Sequence, residues 1–544
     1  MTAPGPWSPR MPGALAGALT GALITAALLG AAHLLHTAFG LPFLPFQVFD
    51  RVARILPGGL ITIGIDAMVS VIRGLSIGEM STIAKKAEQG LAIVGMLITG
   101  VLAGAVYFRL RRGSMAGTWT GAGIVLGLVL GLPGALIAAT STQQAAGGPV
   151  GSAIWALVVC LCWGLAIAWT HARLSAATAP RPAAEPLEVM PLDRRTFMLR
   201  FAGATATIAI AGAVLSEAIS RRARHMAAGA RPWSATHPLP NANATVQPVP
   251  GTRRELTPVE EHYRIDINTV PPSVNEADWR LRIGGLVQQP REFTMQQLRM
   301  YEPMHQFITL QCISNPIGGD LISTTRWTGV SLQALLPDFG LQPAATHLRL
   351  HSVDGFYEVV PLDVIRADPR VMLTYAWDGL PLPDDHGFPL RIYIPDHYGM
   401  KQPKWIDRIE ATSTWEPGYW VRRGWDRDAR MNTTSVIDTI GSNMMIIEPG
   451  NATVVPIGGI AFAGARGISR VEVQVDGGPW QPAMLRDPLS PTTWVLWRYE
   501  WPFQAGRHTF TVRCFEGDGT PQIAEEHPIR PSGATGLVSK SQML

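Results

Sequence analysis

Cys312 stands in the run Ile308-Thr-Leu-Gln-Cys-Ile-Ser-Asn-Pro-Ile-Gly-Gly-Asp320, a thiol between an apolar, strand-like stretch and a Pro/Gly loop. Zinc and disulfide frameworks need partners at short spacing, and the next cysteines are Cys162 and Cys514. Three chemistries stay open for it: a single thiolate ligand to a soft metal, a nucleophile, or an inert buried side chain. The other cysteines promise less. Cys160 and Cys162 lie in an apolar span, where Cys-Leu-Cys on a helix points the thiols to different faces. Cys514, in Thr509-Phe-Thr-Val-Arg-Cys-Phe515, is expected to pack. His33, His36 and His171 lie in or beside apolar spans, but no two stand at facing depths as a bis-histidine haem requires.

The elements that must position such groups fall into two halves. From Met11 to about Thr170, charged residues are scarce and Ala, Gly, Leu, Ile and Val dominate. A hydrocarbon core about 30 Å thick needs roughly 20 apolar residues in a helix. Five stretches meet this, at about 13–35, 89–108, 117–138, 150–170 and 197–216. A sixth, at about 55–73, is interrupted by Pro57, Gly58, Gly59 and Asp66, and either spans or lies re-entrant. Arg109, Arg111 and Arg112 put one loop inside, and Arg173, Arg181, Arg194 and Arg195 another, with the uncharged loop near Gln143–Gly148 outside. The last span then runs outward and delivers everything after about Glu217 to the extracytoplasmic side. Lys85 and Lys86 run against this orientation. Asp193-Arg-Arg-Thr-Phe-Met-Leu-Arg200 before an Ala-rich run resembles a twin-arginine signal, and ordinary positive-inside charge explains it equally well.

Beyond about Arg221 the composition becomes that of a water-facing protein. The formal net charge of +4 over 544 residues, with no stripe of Lys and Arg interleaved with aromatics, gives nucleic-acid binding no support. Residues 221–258, rich in Pro, Ala, Asn and Thr, read as a linker. Trp279-Arg-Leu-Arg-Ile-Gly-Gly285 and His347-Leu-Arg-Leu-His-Ser352 alternate as strands do, and Ser331–Leu336 is a helical turn, so an α+β domain is expected to end near Thr414. A second module follows. Gly464–Trp480 alternates and ends in an Asp-Gly-Gly hairpin signal, and Thr493–Trp501 and Arg507–Arg513 add further strands. Short strands at this spacing predict an immunoglobulin-like β-sandwich.

Leu310-Gln-Cys-Ile-Ser-Asn315, Ser323-Thr-Thr-Arg-Trp-Thr-Gly329, Leu373-Thr-Tyr-Ala-Trp-Asp-Gly-Leu-Pro-Leu382, Asp385-His-Gly-Phe-Pro-Leu-Arg391 and Gly399-Met-Lys-Gln-Pro-Lys-Trp-Ile406 occur in this order over about 150 residues. Together they resemble the molybdenum-cofactor domain of the sulfite oxidase family. The resemblance makes Cys312 the protein thiolate on molybdenum, a soft ligand for a metal already held by the dithiolene sulfurs of molybdopterin. It makes His386, Arg391, Lys401 and Lys404 the groups that hold the pterin tail, a phosphate or nucleotide. Tyr375 corresponds to a tyrosine lining the metal pocket, and Arg264, in Tyr263-Arg-Ile-Asp266, to an arginine near pocket and pterin. Asn315 and the pair Gly318-Gly319 are expected to shape the loop carrying Cys312.

The implied architecture is multi-domain: an N-terminal α-helical transmembrane bundle of five or six helices (1–220), the linker (221–258), an α+β molybdopterin-binding domain (259–415), an immunoglobulin-like β-sandwich (416–535) and a tail (536–544). The implied activity is two-electron oxygen-atom transfer on a small sulfur-containing or oxyanion substrate at a bacterial cell membrane. The family's arginine after the cysteine block is replaced by Pro316-Ile317, which weakens a sulfite assignment. No cytochrome b5-like domain is present, so a separate electron donor or acceptor, cytochrome or quinone-linked, is expected. The C-terminal module makes a homodimer possible. The competing expectation is a non-catalytic membrane protein whose water-facing part binds a ligand or partner.

Overall fold

The computed structural model describes residues 13–544 except 61–62, 65–66, 69–70, 72–79, 112–117, 142–147, 177–193, 228–230 and 448–452. The chain divides into two compact units, residues 1–56 with 85–229, and 57–84 with 230–544.

The first unit is helical. Five helices are long and apolar enough to cross a membrane: Ala14–Phe39, Thr82–Leu110, Trp119–Ala139, Gly148–Ala176 and Arg195–Ile219. These correspond to the five uninterrupted apolar stretches. The interrupted stretch at 55–73 is not among them, and its Asp66 lies outside the described residues, as do Arg112, Arg181 and the loop before Gly148. A shorter helix, Leu44–Ile55, carries Asp50, Arg51 and Arg54 and buries Pro45, Phe46 and Gln47. Counting apolar residues passes over it because its charge is one-sided.

Small residues set how closely these helices approach. A Cβ on Gly164 would collide with the Gly123 carbonyl and the Gly127 backbone, and one on Gly21 with the Gly100 carbonyl. Glycine at these crossings lets backbone meet backbone, the packing that apolar surroundings favour.

The second unit opens with two sheets that share a core. The first has strand order β2-β1-β10-β5-β6, with β1 Leu281–Gly285, β2 Arg291–Phe293, β5 His347–Ser352, β6 Tyr357–Pro361 and β10 Ile406–Thr412. The second runs β3-β4-β7-β8, with β3 Met304–Gln311, β4 Ile322–Ser331, β7 Met372–Trp377 and β8 Leu380–Pro381, and β9 Arg391–Tyr393 also pairs with β7. Leu281, Ile283, Leu348, Leu350, Ile406 and Ile409 from the first sheet pack with Val330, Leu373 and Ile392 from the second and with Leu335 and Phe339 of the helix Leu332–Phe339. The opposite face of the second sheet holds a separate cluster, Ile308, Leu310, Cys312, Trp327, Met372, Trp377 and Tyr393.

Two further antiparallel sheets follow. One is β11-β13-β17-β16, with β11 Thr434–Ile440, β13 Thr453–Phe462, β16 Met484–Leu485 and β17 Val495–Pro502. The other is β15-β14-β18-β19, with β14 Ile468–Val475, β15 Gln481–Pro482, β18 Arg507–Glu516 and β19 Val538–Met543. Val455, Ile457, Trp497 and Trp501 of one sheet pack against Val471, Val473, Phe510, Val512 and Cys514 of the other. The Asp476-Gly477 turn takes positive φ at both residues, as its sequence demands.

Two boundaries shift. The last helix of the first unit runs from Arg194 to Ala227, through the start of the expected linker, and residues 231–258 are a docked strap. The Trp233 N–H donates to the Asp378 carbonyl at 2.6 Å, the Thr257 N–H to the Thr324 carbonyl at 2.7 Å, and the Trp494 indole to the Glu255 carbonyl at 3.1 Å. Arg486 and Glu255, both nearly buried, form an ion pair at 3.0 Å. Such a segment has no period to read; its polar groups find partners one at a time. The expected tail at 536–544 is instead largely β19, paired with β18 from Val512 to Arg507. Its polar Ser-Lys-Ser-Gln sequence conceals a strand whose one buried anchor is Val538.

Gly164→Ala is expected to destabilise the detergent-solubilised protein by about 1–3 kcal/mol through overpacking. Gly203→Ala, with open space around the new Cβ, should be neutral or stabilising by up to about 1 kcal/mol. Thermal unfolding of the two variants side by side checks this.

Candidate functional site

Cys312 follows directly on β3 and is buried at 7% exposure. Its N–H donates to the Leu321 carbonyl at 3.0 Å, its carbonyl accepts from the Asn315 N–H at 3.0 Å, and the Asn315 side-chain oxygen accepts from the Leu321 N–H at 3.0 Å. The loop from 312 to 321 is thus closed on itself, with Gly318 at φ 70°. Asn315 acts here as a brace inside the loop. Burial pushes the Cys312 thiol upward, only partly opposed by Ser314, whose Oγ lies 3.0 Å from Sγ. A thiol so placed is not a standing thiolate nucleophile. A cation bound beside it would supply the charge needed to hold it as a thiolate.

Beneath the loop lies a cluster of buried aromatic and basic groups. The Trp377 ring sits 4.3 Å from His262, 4.7 Å from His386 and 4.9 Å from Trp327. The Arg391 guanidinium lies 4.7 Å from the Trp327 ring centre and 5.1 Å from that of Trp377, and one Nη donates to the His386 carbonyl at 3.0 Å. Alongside, Asp266 bridges Arg264 at 2.8 Å and Lys404 at 3.2 Å, and Lys404 also donates to the Asp385 carbonyl at 2.8 Å. Burial dominates the protonation of the whole group. It depresses His262 to about 3 and His386 well below the ordinary histidine value, and it lowers Lys404 to about 8 and Arg391 to about 10.

The sequence-predicted residues divide. Cys312, Arg264, His386, Arg391 and Lys404 lie in or beside this cluster. Lys401 does not: it is 6% exposed, forms an ion pair at 2.7 Å with the fully buried Glu358, and donates to the Arg427 carbonyl at 3.1 Å. Its charge is already matched. Tyr375 is a correction too. Along β7, Met372 and Trp377 face the Cys312 cluster, whereas Leu373 and Tyr375 enter the core between the sheets, with Arg299 over the Tyr375 ring at 5.6 Å. The phenols beside Cys312 are Tyr263, packed in its cluster, and Tyr398, which burial pushes up to about 12. The site members that sequence reasoning passed over are His262, Asp266, Trp327 and Trp377. Both tryptophans lie inside the motif blocks, and their shared contact with Arg391 is visible only in the structure.

Four buried atoms in the cluster have no hydrogen-bond partner among the described residues: Arg391 Nε, Trp327 Nε1, Trp377 Nε1 and His262 Nε2. Neutral His262, whose Nδ1 lies 3.2 Å from the Tyr263 carbonyl, presents Nε2 as an acceptor. The other three are donors. Buried polar atoms left unmatched cost about 1–3 kcal/mol each, so this arrangement suits an occupant carrying several acceptors and a donor. A pterin with an anionic tail fits that description. Among the described residues no group of three or more His, Cys, Asp or Glu could hold a metal by itself.

The site joins one buried thiol to a cluster of buried basic and aromatic groups. Residues 267–420 match the family described as "Oxidoreductase molybdopterin binding domain", and the chain is similar to nitrate reductases and sulfite oxidases. It is 30% identical over 305 residues to inducible nitrate reductase [NADH] 2 of Glycine max, covering 45% of this chain and 34% of that one. It is 28% identical over 299 residues to sulfite oxidase of Gallus gallus, covering 46% of this chain and 64% of that one. The chain spans about a third of the length of the plant nitrate reductases it matches. The solved sulfane dehydrogenase SoxCD from Paracoccus pantotrophus aligns at 20% identity and a TM-score of 0.47, over 55% of this chain and 86% of that chain.

Arg391→Met and Lys404→Met are each expected to lower the pterin retained on purification at least tenfold without unfolding the protein. Lys401→Met should act on stability, because it strands the Glu358 carboxylate at a cost of about 3–5 kcal/mol. Adding Glu358→Leu should recover most of that loss. Pterin fluorescence and thermal unfolding of the same samples separate the two effects.

Proposed function

We propose that the protein is a membrane-anchored molybdenum oxidoreductase that acts outside the cytoplasm on a small sulfur-containing or oxyanion substrate. The observation that carries this reading is the cluster of unmatched buried donors beside a buried, protonated thiol. Neither makes energetic sense until an acceptor-rich cofactor and a cation are bound there. When bound, the molybdenum cofactor supplies two-electron oxygen-atom transfer. The chain's own residues orient it. Arg391, Lys404 and Arg264 would offer donors and positive charge to the pterin tail, with neutral His386 beside them, Trp327 and Trp377 would shield it from water, and the closed 312–321 loop would hold the Cys312 sulfur toward the metal.

The five apolar helices support anchoring by length and composition, and the arginines at one end of the bundle support placing residues 231–544 outside. The two C-terminal sheets are read as an immunoglobulin-like sandwich through which a homodimer could form. Electrons are proposed to pass to or from a separate cytochrome or quinone-linked carrier.

Purified wild type is expected to contain molybdenum and pterin, and Cys312→Ser to lose most of the metal; equal molybdenum in both would exclude the ligand assignment. In a Cys162→Ser background, a membrane-impermeant maleimide should label Asp518→Cys, on an exposed turn, in intact cells. Labelling only after lysis would reverse the proposed orientation.

A further inference from the structure

The helical unit holds a cavity of about 260 Å³ among its apolar helices. It is lined by Leu29 and Ala32 of Ala14–Phe39, Pro42 and Leu44 at the entry to Leu44–Ile55, Ile137 of Trp119–Ala139 and Val159 of Gly148–Ala176. An apolar cavity of about 150 Å³ takes a benzene ring, so this one has room for a longer hydrocarbon body. Most of its polar lining is spent. The Trp155 indole N–H donates to the Pro42 carbonyl at 2.9 Å, that of Trp163 to the Thr25 hydroxyl oxygen at 2.8 Å, and the Thr25 and Thr99 hydroxyls to the Gly21 and Gly95 carbonyls. Gln47 adds a buried amide. The walls therefore offer dispersion contacts to an apolar occupant.

Polar chemistry sits at its mouth. His33 and His36 lie one helical turn beyond Leu29 and Ala32 on the same face, and both are half-buried. Their ring centres are 6.3 Å apart. Phe43 and Phe46 close around them, Phe43 at 5.3 Å from His33 and Phe46 at 6.4 Å from His36, with ring centres 4.7 Å from each other. His36 Nδ1 lies 2.7 Å from the Leu41 carbonyl, which makes it the donor and leaves Nε2 as an acceptor. Neutral His33 carries one N–H in either tautomer. Gly17, near the start of the same helix, packs on Gly104, so the histidines sit at the end of the bundle away from Arg109 and Arg111. Under the proposed orientation that end faces outside.

We propose that this cavity binds a membrane quinone, with its ring at the mouth among His33, His36, Phe43 and Phe46 and the start of its isoprenoid tail between the helices. A quinone oxygen accepts the His33 N–H. A quinol hydroxyl accepts it too and also donates to His36 Nε2, so the reduced form is held more tightly. A phospholipid acyl chain would fill the cavity but use neither nitrogen. The inference rests on the oxidoreductase reading and deepens it, naming a quinone rather than a cytochrome as the electron carrier.

Decylubiquinone and decylubiquinol, short-tailed probes, test it by calorimetric titration of the full chain in detergent, with protein-free micelles as the blank and molybdenum measured on the same sample. Wild type is expected to bind one molecule saturably, the quinol about threefold or more tighter than the quinone. Val159→Trp fills the cavity and should weaken both at least tenfold, with thermal unfolding reporting whether the variant is folded. His36→Phe keeps a ring at the half-buried mouth and should erase the preference for quinol, which a purely structural histidine would not influence. The proposal is overturned if wild type takes up the probes no differently from empty micelles, if folded Val159→Trp binds as wild type does, or if His36→Phe keeps the preference. Copurifying phospholipid that neither probe displaces would also overturn it, by placing an acyl chain in the cavity. Quinone binding of the expected pattern in protein devoid of molybdenum would leave the site standing and remove the oxidoreductase reading instead.

Discussion

Burial without a partner is the constraint on which the rest of the second unit depends. A thiol, an imidazole nitrogen, two indole N–H groups and a guanidinium edge are withdrawn from water within one cluster, and all but the thiol lack a hydrogen-bond partner among the described residues. In an ordinary core such groups would be removed by selection for stability, since each costs on the order of 1–3 kcal/mol. Their retention together points to a ligand whose binding returns that energy. The depressed histidine, lysine and arginine protonation equilibria have the same origin, since burial is the largest cause of each.

The scaffold explains how such a site survives. The second sheet places its two faces in different cores, one shared with the first sheet and one given to the cofactor cluster. The first core is mainly aliphatic and supports the sheet from which the second is built. The strap from 231 to 258 adds a further layer. It pairs with β4 at Thr257, locks to the C-terminal module through Glu255 and Arg486, and brings Arg253 to the Cys312 loop. The site is therefore assembled from segments far apart in sequence.

That assembly determines what the sequence could reveal. Cys312, His386, Arg391 and Lys404 lie in compact blocks whose residue types and order are distinctive, and the structure places them around one cluster. Five apolar helices and the alternating strands are equally visible, because helix and strand periods are local properties. Lys401 was not separable from Lys404, since nothing in Gly399–Ile406 tells that Glu358, distant in sequence, neutralises one lysine and not the other. Tyr375 misleads for a related reason: a one-residue step along β7 decides which core a side chain enters. The strap was opaque because each of its contacts is individual.

Cys312 is proposed to be the protein's sulfur ligand to molybdenum. X-ray absorption at the molybdenum edge of purified protein measures it directly. The account predicts that wild type shows the dithiolene sulfurs plus one further sulfur scatterer, and that whatever molybdenum Cys312→Ser retains shows one sulfur fewer. An identical sulfur shell in the two proteins would contradict it.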